Sequence, residues 1–196
     1  MQPHRYFMVH KPIDMVSQFI SSHDVPLLGS LDFDFPEGSH AIGRLDKHSE
    51  GLLLVTTNPK VTRLLFHGKQ PHARRYLVQV NNTVKPASVA ALANGIAISA
   101  PDGGKYITQP CLVDIVDKPT YITDSPFRPH PNQQSSWLCI TLTEGKFHQV
   151  RKMIAAIRHK CLRLIRISIE ALSVEGLAPG EVKEVTEEYF FEQLRL

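Results

Sequence analysis

Asp46 is the residue whose surroundings point most directly to chemistry. It stands in the stretch from Gly43 to Asn58, GRLDKHSEGLLLVTTN, with Arg44 on one side and Lys47 and His48 on the other. Cations this close favour the ionised form of a carboxylate, which suits an oxygen nucleophile or an electrostatic stabiliser and not a general acid. A carboxylate that merely caps or ion-pairs a loop would have the same local composition. A glycosidase-type hydrolase would need a second carboxylate as general acid, and none is evident nearby in the motifs. A non-catalytic binding module would have no use for Asp46 at all.

The elements that must position Asp46 can be read from apolar spacing. Leu52–Val55 is a short apolar run bounded by Gly51 and Asn58-Pro59, so a buried strand is expected, with Asp46 on the loop before it. Arg5–His10 reads as a strand that stops at Lys11-Pro12. Asn58 and Pro59 are expected to cap and open a helix with Val61, Leu64 and Leu65 on its apolar side and Gly68 as its stop. Arg74–Asn81 alternates as a strand, and Pro86 opens a helix with Val89, Leu92, Ala93 and Ile96 on one side. Short strands should follow near Ala97–Ser99, Tyr106–Thr108, Cys111–Val116 and Trp137–Thr143. His148–His159 shows the clearest helical spacing, with Val150, Met153, Ile154 and Ile157 at i, i+3, i+4 and i+7. That spacing would put Arg151 and Arg158 on one shoulder of the apolar stripe. Cys161–Leu172 is a long β-rich run, and Thr186 should cap a C-terminal helix that begins with Glu187 and Glu188. Strands and helices alternate without a regular βαβ beat, so the expected class is α+β with a mixed, mostly antiparallel sheet and flanking helices. Residues 117–136 hold four prolines and no periodicity, which marks a flexible insertion, either an RNA-contacting flap or a passive loop.

The string from Gly43 to Asn58 closely resembles the signature of RNA pseudouridine synthases of the RsuA/RluE type. Three further segments extend the resemblance over nearly the whole chain. RRYLV stands where the family has Lys-x-Tyr, with Arg74 in place of the usual lysine. TEGKFHQVRKM matches Glu-Gly-x-x-x-Gln-x-Arg-Arg-Met, with Lys152 in the second arginine position. RLIRISIEAL matches the Leu-x-Arg motif, with Glu170 where a glycine is common. HKPIDMVSQF is similar to the family's Lys-Pro turn followed by Ser-Gln. The resemblance implies the pseudouridine synthase catalytic fold, with an active-site cleft between two lobes, and a reaction that needs no cofactor. Asp46 would be the catalytic nucleophile, and the bidentate guanidinium of Arg151 would hold it ionised and aimed. Tyr76 would stack on the uracil, Leu164 would close the apolar wall, and Arg44 would also bind substrate. Lys47, Arg74, Arg75, Lys146, Lys152, Arg158, Arg163 and Arg166 are candidate RNA contacts. Nothing ahead of the catalytic segment resembles an S4 module, so one catalytic domain over residues 1–196 is expected. That feature and the SQF string are most similar to members acting on a stem-loop uridine of large-subunit ribosomal RNA.

The bulk properties fit such a partner. The net charge is only +3, but its distribution is uneven. From Val61 to Lys85 there are five Lys/Arg and no Asp or Glu, and from Glu144 to Arg166 seven Lys/Arg against Glu144. The segment Ser168–Leu196 reverses this, with seven Glu against Lys183 and Arg195. Segregated charge of this kind suits a polyanion, although ordinary solvated faces would also account for it. Ten histidines lack paired metal spacing, so no metal site is expected. Cys111, Cys139 and Cys161 form no CxxC and read as reduced thiols. With no signal segment and no run of about 18 apolar residues, a soluble cytoplasmic protein without an obligate protein partner is expected.

Overall fold

Where apolar residues run unbroken the chain forms strands buried on both faces, and where they alternate it forms half-covered ones. The computed structural model describes residues 3–68, 70–124 and 134–196. In chain order the elements are β1 (Tyr6–Lys11), β2 (His40–Ile42), β3 (Glu50–Thr56), α1 (Val61–His67), β4 (Arg74–Asn81), α2 (Pro86–Ala93), β5 (Ala97–Ser99) and β6 (Lys105–Ile107). They continue as β7 (Leu112–Val116), β8 (Ser135–Leu142), α3 (Gln149–Ala156), β9 (Cys161–Ile169), β10 (Leu172–Ser173), β11 (Val182–Val185) and α4 (Glu187–Leu194). The class is α+β: β3 and β9 run parallel, and the pairs β1–β11, β1–β3, β2–β3, β4–β8, β5–β6, β7–β8 and β9–β10 are antiparallel.

The chain divides into two compact units. One comprises Met1–His72 and Ile165–Leu196, the other Ala73–Leu164. In the first, strands lie in the order β11-β1-β3-β9, with β2 also paired to β3. Tyr6–Lys11 and Glu50–Thr56 are buried at every position, the apolar runs Tyr6–Val9 and Leu52–Val55 together with the polar ends His10, Lys11, Glu50 and Thr56. Phe7 packs edge-on against Phe33 and Phe35, while Tyr6 packs against Phe190 of α4 at 4.8 Å between centroids. Each such fully buried side chain contributes roughly 1.5–3 kcal/mol. Thr186 caps α4 by accepting from the Tyr189 amide at 3.2 Å, and Glu187 and Glu188 occupy its positive end. In the second unit the order is β9-β4-β8-β7, with β5–β6 as a separate hairpin. Its core joins Val78, Val80, Leu92, Leu138, Ile140, Met153, Ile154 and Leu164.

Several boundaries differ from the sequence expectation. α1 starts at Val61, two residues beyond Pro59, because Asn58 makes a turn first, its Oδ1 accepting from the Lys60 amide at 3.1 Å. α3 is shorter than expected: His148 (φ 53°) and Arg158 (φ 62°) are both left-handed and bracket it. Arg158 therefore lies past the helix and shares no helical shoulder with Arg151. The Cys161–Leu172 run breaks into the hairpin β9–β10 at Glu170, whose φ of 48° is the conformation glycine would favour. Its carboxylate stands 3.5 Å from His72 and 3.7 Å from Arg195. Of the expected insertion, 125–133 lies outside the described residues. Ile122 before it is buried, and Ser135 and Ser136 after it belong to β8.

Candidate active site

Three strands form the floor beneath the Asp46 loop. The registers set Lys11 of β1 opposite Gly51 of β3, and Gly51 opposite Arg166 of β9. Gly51 has φ 103°, and a Cβ there would lie 2.3 Å from the Arg166 carbonyl oxygen, so only glycine lets the strands meet. Gly43, at φ 71°, starts the loop, and a Cβ on it would strike the Phe66 ring at 2.8 Å.

Between these glycines the loop is clamped from the N-terminal segment. The Ser17 hydroxyl accepts from the Leu45 amide at 3.0 Å and donates to the Leu45 carbonyl at 2.9 Å. The Asp46 carbonyl accepts from the Ser49 amide at 2.9 Å, closing a turn around the carboxylate-bearing residue. The Lys11 ammonium donates to the carbonyls of Pro12 (2.7 Å), Met15 (2.6 Å) and Lys47 (3.4 Å). Asp46 itself is half-buried, and Arg44, Lys47 and His48 are exposed around it. His48 Nδ1 stands 2.7 Å from an Asp14 oxygen.

Lys11 is fully buried. Burial pushes its ammonium down to about 8, against the attraction of Glu50, Asp14 and Asp46 and with the repulsion of Arg166. Glu50, four residues after Asp46 in the chain, is buried at the head of β3, and like Asp46 it acts on the Lys11 charge. Neither Lys11 nor Ser17 was singled out as a site residue from sequence. The available signal was a lysine at the end of the otherwise uncharged strand YFMVHK, because a lysine is buried only where its charge is compensated.

The remaining expected residues divide by position. Tyr76, opposite Ile140 on β4, is half-buried against the second unit's core, and Leu164 is 4% exposed in that core. Arg151 on α3 is half-buried, with Nη1 3.7 Å from Cys161 Sγ. Burial pushes that thiol up to about 11 despite the nearby guanidinium. Arg74 Nη2 donates to the Thr143 carbonyl at 2.8 Å, bracing the end of β8, while Arg75 beside it is exposed. Lys146 and Arg158 are exposed, and Lys152 Nζ donates to the Ser99 carbonyl at 2.8 Å. Arg163 and Arg166 depart from the expectation of phosphate contacts, because both are buried. Arg163 Nη1 donates to the Thr123 carbonyl at 2.7 Å, and Arg166 Nε to the Leu52 carbonyl at 2.8 Å. Among the described residues no group of three or more His, Cys, Asp or Glu side chains could hold a metal ion, and no helix is long and apolar enough to cross a membrane.

Residues 5–156 match the family model for RNA pseudouridylate synthase. The chain belongs to the RNA pseudouridine synthase family. It is 32% identical over 186 residues to ribosomal large subunit pseudouridine synthase E of Vibrio parahaemolyticus, covering 94% of this chain and 75% of that one. To the protein of the same name in Xanthomonas axonopodis pv. citri it is 32% identical over 174 residues, covering 88% and 89%. The crystal structure of a pseudouridylate synthase superposes with a TM-score of 0.79 at 29% identity, over 99% of this chain and 75% of that one. As a pseudouridine synthase the protein is an isomerase, so its site has to hold one substrate through bond breaking, rotation and bond making.

Proposed function

We propose that this pseudouridine synthase converts a uridine of large-subunit ribosomal RNA, held in a stem-loop, to pseudouridine, with Asp46 as nucleophile. The observation that carries the reading is the clamped loop: Ser17 and Lys11 fix the backbone on both sides of Asp46, leaving its carboxylate among exposed cations. The names of the two bacterial relatives, both large-subunit enzymes, support the choice of RNA. In the reaction the N1–C1′ bond breaks, the uracil turns, a C5–C1′ bond forms, the proton on C5 passes to solvent, and N1 takes up a proton in its place. A carboxylate serves as the transient covalent partner, and no atom is gained or lost. Preorganised nucleophiles of this kind lower the barrier by removing orientational freedom before the chemical step.

The target base has to leave its stack to reach a half-buried aspartate. Tyr76 would stack on the extruded uracil, Leu164 would present an apolar wall, and Arg151 would pair with the carboxylate. Arg44, Lys47, Arg75, Lys146, Lys152 and Arg158 would meet phosphates. The reaction would take place in the cytoplasm, where ribosomal RNA is the substrate.

Release of tritium from C5 of labelled uridine in large-subunit ribosomal RNA tests this reading. Isomerisation frees the label and leaves the RNA mass unchanged apart from the exchanged hydrogen. Hydrolysis would leave an abasic site, and a binding module would leave the RNA untouched.

A further inference from the structure

The turn Glu144–His148 before α3 carries a surface that the chemistry at Asp46 does not use. Phe147 is 66% exposed, and its ring lies on that of His148 with centroids 3.8 Å apart and planes 18° from parallel. An aromatic pair left in solvent contributes little to the core, yet this one is held firmly. The Gln149 side chain accepts from the Lys146 amide at 2.8 Å and donates to Glu144 Oε1 at 2.7 Å, and its amide donates to the Lys146 carbonyl at 3.0 Å. Glu144 in turn accepts from the Tyr106 hydroxyl and, at 2.9 Å, from the Gln109 amide. His148 is kept left-handed at φ 53°, a backbone state that residues other than Gly, Asn and Asp disfavour. A strained, cross-braced turn that displays two rings is preorganised, so a flat ligand docking on it would lose little further freedom.

The rim of this surface is cationic. The Lys152 ammonium stands 5.5 Å from the Phe147 centroid, and that of Lys146 lies 4.7 Å from the centroid of Tyr106. Lys152 also donates to the Ser99 carbonyl, and the β5–β6 register sets Lys105 directly opposite Ser99. The nearby acid, Glu144, is occupied by Tyr106, Gln109 and Gln149. Flat rings with ammonium groups around them match the alternation of base and phosphate in an unpaired strand. An apolar protein segment would match the rings and leave three ammoniums without counter-charges.

We propose that Phe147 and His148, rimmed by Lys105, Lys146 and Lys152, form a stacking platform for one unpaired base of the RNA substrate other than the uridine that is isomerised. The proposal rests on the reading above only in taking RNA as the ligand. The base lies on the ring pair, and the lysines hold the phosphates on either side of it.

The test is a binding series with the full chain and the large-subunit ribosomal RNA fragment that the wild type binds most tightly. That fragment is made with a single abasic site at each unpaired position in turn. Wild type should lose roughly tenfold in affinity at one position, the range expected for one stacked base. Phe147→Ala should lose the same factor on intact RNA and lose nothing more at that position, while Phe147→Trp restores wild-type behaviour. Thermal melting of both variants should match wild type, because the replaced ring is exposed. Binding by Phe147→Ala equal to wild type would overturn the proposal. So would a loss that adds to every abasic loss alike, or a failure of Phe147→Trp to restore binding. Tritium release by wild type on the same RNA is a separate readout. Its absence would remove the proposed isomerisation and leave the platform standing, whereas release without any Phe147 effect would do the reverse.

Discussion

Lys11 shows how a single buried charge can organise a site. Its ammonium has left water and is compensated by three backbone carbonyls and by the field of Glu50, Asp14 and Asp46. One of those carbonyls belongs to Lys47, so the lysine holds the backbone of the residue next to Asp46 and not the Asp46 carboxylate. The folded chain releases the Lys11 proton near pH 8, and the unfolded chain keeps it to about 10.5. Within that window the unfolded state binds more protons, so raising the pH favours folding. Wild type should therefore gain on the order of 2–3 kcal/mol relative to Lys11→Met as pH climbs through the window. Parallel denaturant titrations of the two proteins at pH 7.5 and about 10 check this, and an unchanging difference would mean that the lysine titrates normally.

Among the elements, the parallel pair β3–β9 is the one on which the loop depends, and Gly51 is what permits it. A Cβ at position 51 would meet the Arg166 backbone at 2.3 Å, and φ 103° is strained for any L side chain. Gly51→Ala should cost about 3 kcal/mol or more and lower the melting temperature, with the β3–β9 amides losing hydrogen-exchange protection first. Much at this scale was legible in the sequence. The Arg74–Asn81 strand, the proline-led helix α2 and the Thr186 cap all rest on local patterns, and the structure has each of them. What was not legible came from two physical sources. His148, Arg158 and Glu170 adopt left-handed backbone without being Gly, Asn or Asp, so no composition signal marks where α3 and β9 stop. The contacts that hold the Asp46 loop join residues far apart in the chain, Ser17 to Leu45 and Lys11 to Lys47, and no local periodicity can report them. The burial of Arg163 and Arg166 was illegible for a related reason: arginines in a β-run look alike whether their guanidinium groups meet solvent or a backbone carbonyl.

For the whole molecule, the charge that can reach an RNA is smaller than the count of basic residues suggests. Arg163 and Arg166 are buried, which leaves Arg44, Lys47, Arg75, Lys105, Lys146 and Arg158 among the exposed cations. If four to six of these meet phosphates, log affinity should fall against log salt with a slope of about −3 to −5. Filter binding of a large-subunit ribosomal RNA stem-loop from 50 to 300 mM salt would measure it. Arg75→Gln should reduce that slope by about one. Arg166→Gln should instead lower the melting temperature, because it removes a donor to the Leu52 carbonyl inside the sheet. A slope near zero would mean that these cations do not meet the RNA backbone.

The central claim, that Asp46 is the nucleophile, is tested most directly by tritium release from C5-labelled large-subunit ribosomal RNA with Asp46→Asn. The amide keeps the shape of the carboxylate and removes its charge. Release should fall by at least about a thousandfold, with melting temperature and RNA affinity close to wild type. A purified, folded variant that still released label at about a tenth of the wild-type rate would show that the nucleophile is another residue.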